Sequence, residues 1–148
     1  MITDSTCNQI SFSHVEKNLL AAACDLSVSL YNIETMKVDH HFTNMHKASV
    51  KSLTFSPVNR LLLCSVSPDK SICFYDMNDK VIVKKIKTEL PLSKVDFCAD
   101  GFTVACSGQN TLGENTILVY DLRKSSQEVT KQCVGHMQSI SSLRFMRK

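Results

Sequence analysis

Tryptophan is absent from these 148 residues, glycine occurs four times and proline three. Large aromatic anchors must therefore come from seven phenylalanines and three tyrosines. Four scattered glycines exclude a glycine-rich phosphate-cradling loop. The seven cysteines, Cys7, Cys24, Cys64, Cys73, Cys98, Cys106 and Cys133, form no C-x-x-C pair, which removes the usual spacing of a structural zinc site or redox motif. Most lie inside apolar runs, the pattern of reduced, buried thiols in the cytosol or nucleus. The longest apolar run, Leu19 to Cys24, is far too short to span a bilayer, and the first residues lack the basic and apolar signature of a signal peptide. No membrane association is expected. Charge is not lopsided either: 17 basic against 14 acidic residues give +3, and no aromatic residues interleave with the lysines, so nucleic acid is not an expected partner.

What is present is a repeat. Tyr31-Asn32, Tyr75-Asp76 and Tyr120-Asp121 recur at intervals of 44 and 45 residues, each closing an apolar stretch. Six residues before each tyrosine stands an acid, namely Asp25, Asp69 and Glu114. Phe12, Phe55, Phe97 and Phe145 run in phase with them. A period in the mid-forties is that of β-propeller blades, which hold about 40–45 residues each in rings of typically 4–8. The length accommodates about three.

Local patterning agrees. Val50 to Phe55 alternates apolar with polar, Leu61 to Val66 is nearly all apolar, Ser71 to Tyr75 is a third strand and Lys80 to Lys87 a charged outer one. Turns are expected at Ser56 to Arg60, Ser67 to Lys70 and Asp76 to Asp79. The first repeat reads the same way at Gln9–Phe12, Leu19–Cys24, Ser27–Tyr31 and Met36–Phe42, and the third at Ser93–Phe97, Thr103–Ser107 and Thr116–Tyr120. Between the last two, Gly108 to Asn115 is longer than its counterparts and reads as an exposed hairpin tip. The expected fold is all-β: a partial propeller of about three four-stranded antiparallel blades at 8–43, 47–88 and 92–134, with a fourth beginning at 136–148. Such blades bury one another's faces, so an incomplete ring is expected to be marginally stable or to self-associate.

His46 and Gly135-His136 precede the repeats' first strands. With Asp25, Asp69, Tyr31, Tyr75 and Tyr120, they resemble the WD-repeat family. The resemblance implies a histidine bonded to a hydroxyl on the second strand, then to a turn aspartate and to the aromatic residue of Trp-Asp. Tyrosine stands at every tryptophan position, which implies a weaker network on the same fold. These recurring residues, with Asp121 and His136, are scaffold and not catalytic, because a catalytic group would occur once. His40 and His41, beside Asp39, point to opposite faces of a strand and do not suggest a metal site. Lys80, Lys84, Lys85, Lys87 and Lys94 suggest a solvated basic edge that discourages strand pairing. Ser56-Pro57 and Ser67-Pro68 read as turns, with proline-directed phosphorylation as the alternative.

The ordered series from His46-Lys47-Ala48 through Phe55-Ser56-Pro57-Val58-Asn59, Asp69-Lys70, Tyr75-Asp76, Pro91-Leu92, Val95-Asp96-Phe97 and Asp100-Gly101 to Tyr120-Asp121-Leu122-Arg123 is narrower. It resembles the WD-repeat family that recruits the γ-tubulin ring complex to centrosomes and spindles. That implies a non-enzymatic cytoplasmic scaffold whose blades bind centrosomal or spindle proteins, the γ-tubulin complex being held indirectly. No cofactor is implied. Exposed loops are the expected contact points: Lys47, Arg60, Lys70, Asn110 and Glu114. Tyr120-Asp121-Leu122-Arg123 also resembles the docking ending of substrate receptors for cullin-type ubiquitin ligases, which would place Arg123 against a ligase adaptor.

Overall fold

The computed structural model describes residues 7–13, 16–43, 45–58 and 62–123, and the backbone of 131–136. Strands β1 (Cys7–Phe12), β2 (Leu19–Cys24), β3 (Ser27–Asn32) and β4 (Lys37–Phe42) form a first sheet. A second contains β5 (Ser52–Phe55), β6 (Leu62–Ser67), β7 (Ser71–Asp76) and β8 (Val81–Lys87). The third contains β9 (Leu92–Phe97), β10 (Thr103–Gln109), β11 (Asn115–Asp121) and β12 (Lys131–His136). Each sheet is an antiparallel meander in chain order, and no helix occurs among the described residues. Gly135 and His136 close β12, where His136 stands opposite Asn115. The region from 137 onward, where a fourth blade is expected, lies outside the described residues.

Turn chemistry explains why tyrosine is followed by Asn or Asp. Tyr75 and Tyr120 face a neighbouring sheet, and the side chain after each of the three tyrosines caps the turn. Asn32 Oδ1 accepts from the backbone N–H of Glu34 and Thr35, and Asp76 Oδ1 from those of Asn78 and Asp79. Asp121 Oδ1 likewise accepts from Arg123 N–H. Such side chains mimic a backbone turn, which lets each third strand stop at a defined residue. Met36 and Lys80 then take positive φ (56° and 57°) immediately before the outer strands.

The sheets pack through two seams that share the second sheet. Phe42, Leu30 and Val28 meet Leu53, Phe55, Leu63, Cys73 and Tyr75 in one. Val66, Ile72, Phe74 and Ile86 meet Leu92, Val95, Phe97, Val104, Leu118 and Tyr120 in the other. Strand alternation sends Phe74 and Tyr75 to opposite seams. Polar bonds tie the inner strands together: Asn8 Nδ2 donates to Val50 O, Leu53 N to Gln9 Oε1 and Val95 N to Ser52 Oγ. One glycine is required by close approach, because a Cβ on Gly108 would collide with the Pro91 carbonyl oxygen.

Candidate docking surface

The second sheet contains a buried polar chain that fixes one end of the molecule. His46, in the connection between β4 and β5, places Nε2 2.8 Å from Ser65 Oγ, and Ser65 Oγ lies 2.6 Å from Tyr75 Oη. On the other ring edge His46 Nδ1 lies 3.1 Å from Asp69 Oδ2 and 3.0 Å from Ser71 Oγ. Asp69 also accepts from Ser71 Oγ at 2.6 Å and from Lys47 N–H at 2.9 Å.

Donor supply fixes the protons in this chain. Burial is the largest influence on His46 and lowers its pKa; Asp69 opposes it, and Lys85 reinforces it. The ring is therefore neutral at neutral pH. With one N–H, it donates from Nδ1 to Asp69 and accepts at Nε2 from Ser65, and Tyr75 donates to Ser65. Burial pushes the Tyr75 hydroxyl pKa up, so it keeps its proton. Burial also raises Asp69, but the Ser71 hydroxyl, the Lys47 amide and His46 outweigh it, and the net shift is downward. Every member has a partner, as a buried polar network needs.

The other repeats do not reproduce this arrangement. Ser65 lies two residues beyond the partner of Tyr75, and the same position holds Ala22 in the first sheet and Cys106 in the third. Alanine offers no hydroxyl, and the Cys106 thiol is pushed up to about 12 by burial. Thr88 occupies the place of His46, nine residues before the in-phase phenylalanine Phe97, and donates to Leu90 O at 2.9 Å. Tyr31 is half-buried, whereas Tyr120 is buried and pushed up to about 12, chiefly by burial. Asp25 is exposed in a two-residue turn (φ 52°), one residue shorter than the turn that positions Asp69.

The hairpins β2–β3, β6–β7 and β10–β11 and the sheet-to-sheet connections share one end. Val50 N donates to Asp25 O and Thr88 N to Lys70 O, which fastens each connection to the preceding hairpin. Lys47 and Lys70 are exposed there, Lys70 with φ 67° closing the three-residue turn. The longer tip is itself ordered: Asn110 Oδ1 accepts from Leu112 and Glu114 N–H, and Asn110 Nδ2 donates to Glu114 Oε1. Gln109 and Asn115 belong to the flanking strands, and Asn115 is buried. Leu112 protrudes from this tip, 80% exposed, and Leu26 is 45% exposed in the β2–β3 turn. Leu26 was not singled out from the sequence; its signal is a leucine in a two-residue turn, where it can reach neither sheet face.

Arg123 lies at the opposite end. Its guanidinium is bidentate to Asp121 (3.1 and 3.0 Å) and its Cζ is 5.1 Å from the Phe102 ring centroid. Arg60 and the side chain of His136 lie outside the described residues. The basic strand is more engaged and more apolar than its sequence suggests. Lys80 pairs with Asp39 at 3.5 Å, Lys85 Nζ donates to Met45 O, and Val81, Ile82 and Val83 are exposed beside them. His41 Nδ1 lies 2.7 Å from Ser29 Oγ, and His40 stacks edgewise on Phe42. Ser56 and Ser67 are both buried: Ser56 Oγ accepts from Val58 N–H and Ser67 Oγ donates to Ala48 O.

Comparison with known proteins agrees with this architecture. Residues 37–76, from β4 through β7, match the WD domain, G-beta repeat family. Protein NEDD1 of Homo sapiens is 32% identical over 144 residues, 97% of this chain and 21% of that protein. Protein NEDD1 of Mus musculus is 34% identical over 137 residues, 92% of this chain and 20% of that protein. A WD repeat-containing protein 89 homolog of Dictyostelium discoideum is 30% identical over 89 residues, 57% of this chain and 25% of that protein. The chain thus spans about a fifth of the length of the NEDD1 proteins it matches. The chain contains a WD repeat at residues 37–76, within three tyrosine-ended meander sheets, and is similar to NEDD1 along 97% of its length.

Proposed function

We propose that this chain is a non-enzymatic targeting scaffold of the γ-tubulin-recruiting kind, docking centrosomal or spindle proteins through the loop end built over His46. The similarity to NEDD1 along nearly the whole chain supports this reading. The observation that carries it is the contrast between two layers. Below the surface, His46, Ser65, Asp69, Ser71 and Tyr75 are mutually satisfied and lock the backbone. Above them Lys47 and Lys70 project from that fixed base, and Leu112 protrudes from the separately ordered β10–β11 tip of the third sheet. Rigid loops presenting a few charged and apolar side chains suit protein docking, because little ordering entropy remains to be lost on binding. The expected partner surface is acidic, with an apolar pocket for Leu112. The γ-tubulin complex is reached through that partner and not held directly. Arg123, at the other end, bonds Asp121 through Nε and Nη2 and plays no part in this reading.

Proximity labelling from the tagged chain in dividing cells tests this. Labelling of centrosomal or spindle proteins, reduced at least tenfold by the Lys47→Glu/Lys70→Glu double variant or by Leu112→Ser, is the expected result. If the folded wild-type chain labels no such protein, the targeting reading is wrong. Unchanged labelling in both variants would move the docking surface elsewhere.

A further inference from the structure

Cys64, Cys73 and Cys106 are buried, Cys98 is half-buried, and Cys7 and Cys24 are arranged differently. Strands β1 and β2 pair antiparallel with Cys7 directly opposite Cys24. Residues facing each other in this way have Cα atoms about 4.5–5.5 Å apart, within the roughly 4.4–6.8 Å that a disulfide spans. The pairing is set by a bulge: the next partners are Gln9 and Ala23, so Asn8 is the extra residue. Asn8 is in turn held by its bond to Val50 O, which fixes the register at the cysteines. Cys7 is exposed, and its thiol donates to Gln9 O at 3.8 Å. Burial, followed by the neighbouring Cys7 thiol, pushes the Cys24 thiol up to about 11.

We propose that Cys7 and Cys24 form a reversible oxidation site that a hydroperoxide-class oxidant closes into a disulfide. The exposed Cys7 sulfur, as thiolate, attacks one peroxide oxygen. The O–O bond breaks, and Cys7 sulfenic acid and one water (or alcohol) result. Cys24 sulfur then attacks the Cys7 sulfur, the S–O bond breaks, and the Cys24 proton leaves with the hydroxide as water. Two thiols give up two electrons and two protons, and the peroxide is reduced by two electrons. A small thiol reverses the link by exchange. The disulfide would staple β1 to β2, and β1 is the strand that reaches the second sheet through Asn8 and Gln9.

Trypsin separates the two cysteines into residues 1–17 and 18–37, each with one cysteine. The full chain is treated with hydrogen peroxide, its remaining thiols are alkylated under native and then denaturing conditions, and the digest is read by mass spectrometry without reductant. The expected product is a linked 1–17/18–37 peptide, abolished by dithiothreitol and by Cys7→Ser. Cys24→Ser should instead accumulate Cys7 sulfenic acid that dimedone traps. The oxidised wild type should also melt at a higher temperature than the reduced chain, a difference missing from both variants. Cys7 advancing to sulfinic or sulfonic acid in the wild type with no linked peptide would overturn the proposal. So would intermolecular Cys7–Cys7 dimers as the main product, or links to Cys64 or Cys73 at equal yield.

Discussion

The hydroxyls of Ser65 and Tyr75 lie 2.6 Å apart in the seam between the first and second sheets, and both residues are fully buried. The tyrosine O–H supplies the polar tip of a large aromatic anchor from a ring smaller than indole. Tyr75→Phe keeps the ring and removes the donor. Ser65 still donates to His46, so only an acceptor is left unmatched. Loss of stability should be about 1–2 kcal/mol, read from the urea midpoint at unchanged m-value.

His46→Ala should be more damaging, about 2–4 kcal/mol, because it strips partners from Ser65, Ser71 and Asp69 at once and leaves a void. A thermal or urea titration compared with Tyr75→Phe checks the ranking. Equal losses would mean that the histidine merely fills space.

Acid should act through the same histidine. Its folded pKa lies below the ordinary value of 6.5, since burial disfavours the charged ring. The unfolded state therefore binds the proton more readily. The contribution is fully present above about pH 6.5 and is lost as pH falls through the depressed folded value. Asp69, also lowered, adds a second loss below the ordinary carboxylate value of 3.8. Urea midpoints between pH 7.5 and 5 should fall in the wild type, and this part of the fall should disappear in His46→Gln.

Two glycines should respond oppositely in mechanism and unequally in size. Gly108→Ala pushes a methyl into the Pro91 carbonyl, part of the backbone of the neighbouring strand connection, and should destabilise by about 2 kcal/mol or more. Gly113 has φ +80° at the β10–β11 tip with open space around it. Alanine there meets only backbone strain, about 1 kcal/mol. Calorimetric midpoints for the two variants decide between steric and conformational origin.

Strand placement was legible because its signals are local. The apolar run at β6, the alternation of β5 and the Tyr-Asx endings depend on residues adjacent in the chain. Long-range polar geometry was less so. Asp25 and Asp69, spaced alike, suggested two matching turns, yet one residue fewer between Cys24 and Ser27 changes where Asp25 sits. Ala22 and Cys106 stand where Ser65 stands, a difference visible only once the strands are aligned by their partners. The outer strand misled in composition. Its lysines are counted easily, but Val83 is an extra residue facing no partner in β7, so the apolar Val81–Val83 run stays outside. A bulge follows from packing between strands and leaves little trace in one strand read alone.

Phe74 and Tyr75, consecutive in the chain, belong to different seams. The second sheet therefore participates in two cores, whereas each of the other sheets shares only one of these seams. Separation of the first sheet would strip one face of β6 and β7, and separation of the third would strip the other. Amides in these two strands become exchangeable only when both events have occurred, so they should be the slowest to exchange in the molecule. Among the described strands, resistance to opening should thus be greatest in β6 and β7, directly beneath the loops held by His46, and the proposed docking end rests on the last of these strands to let go.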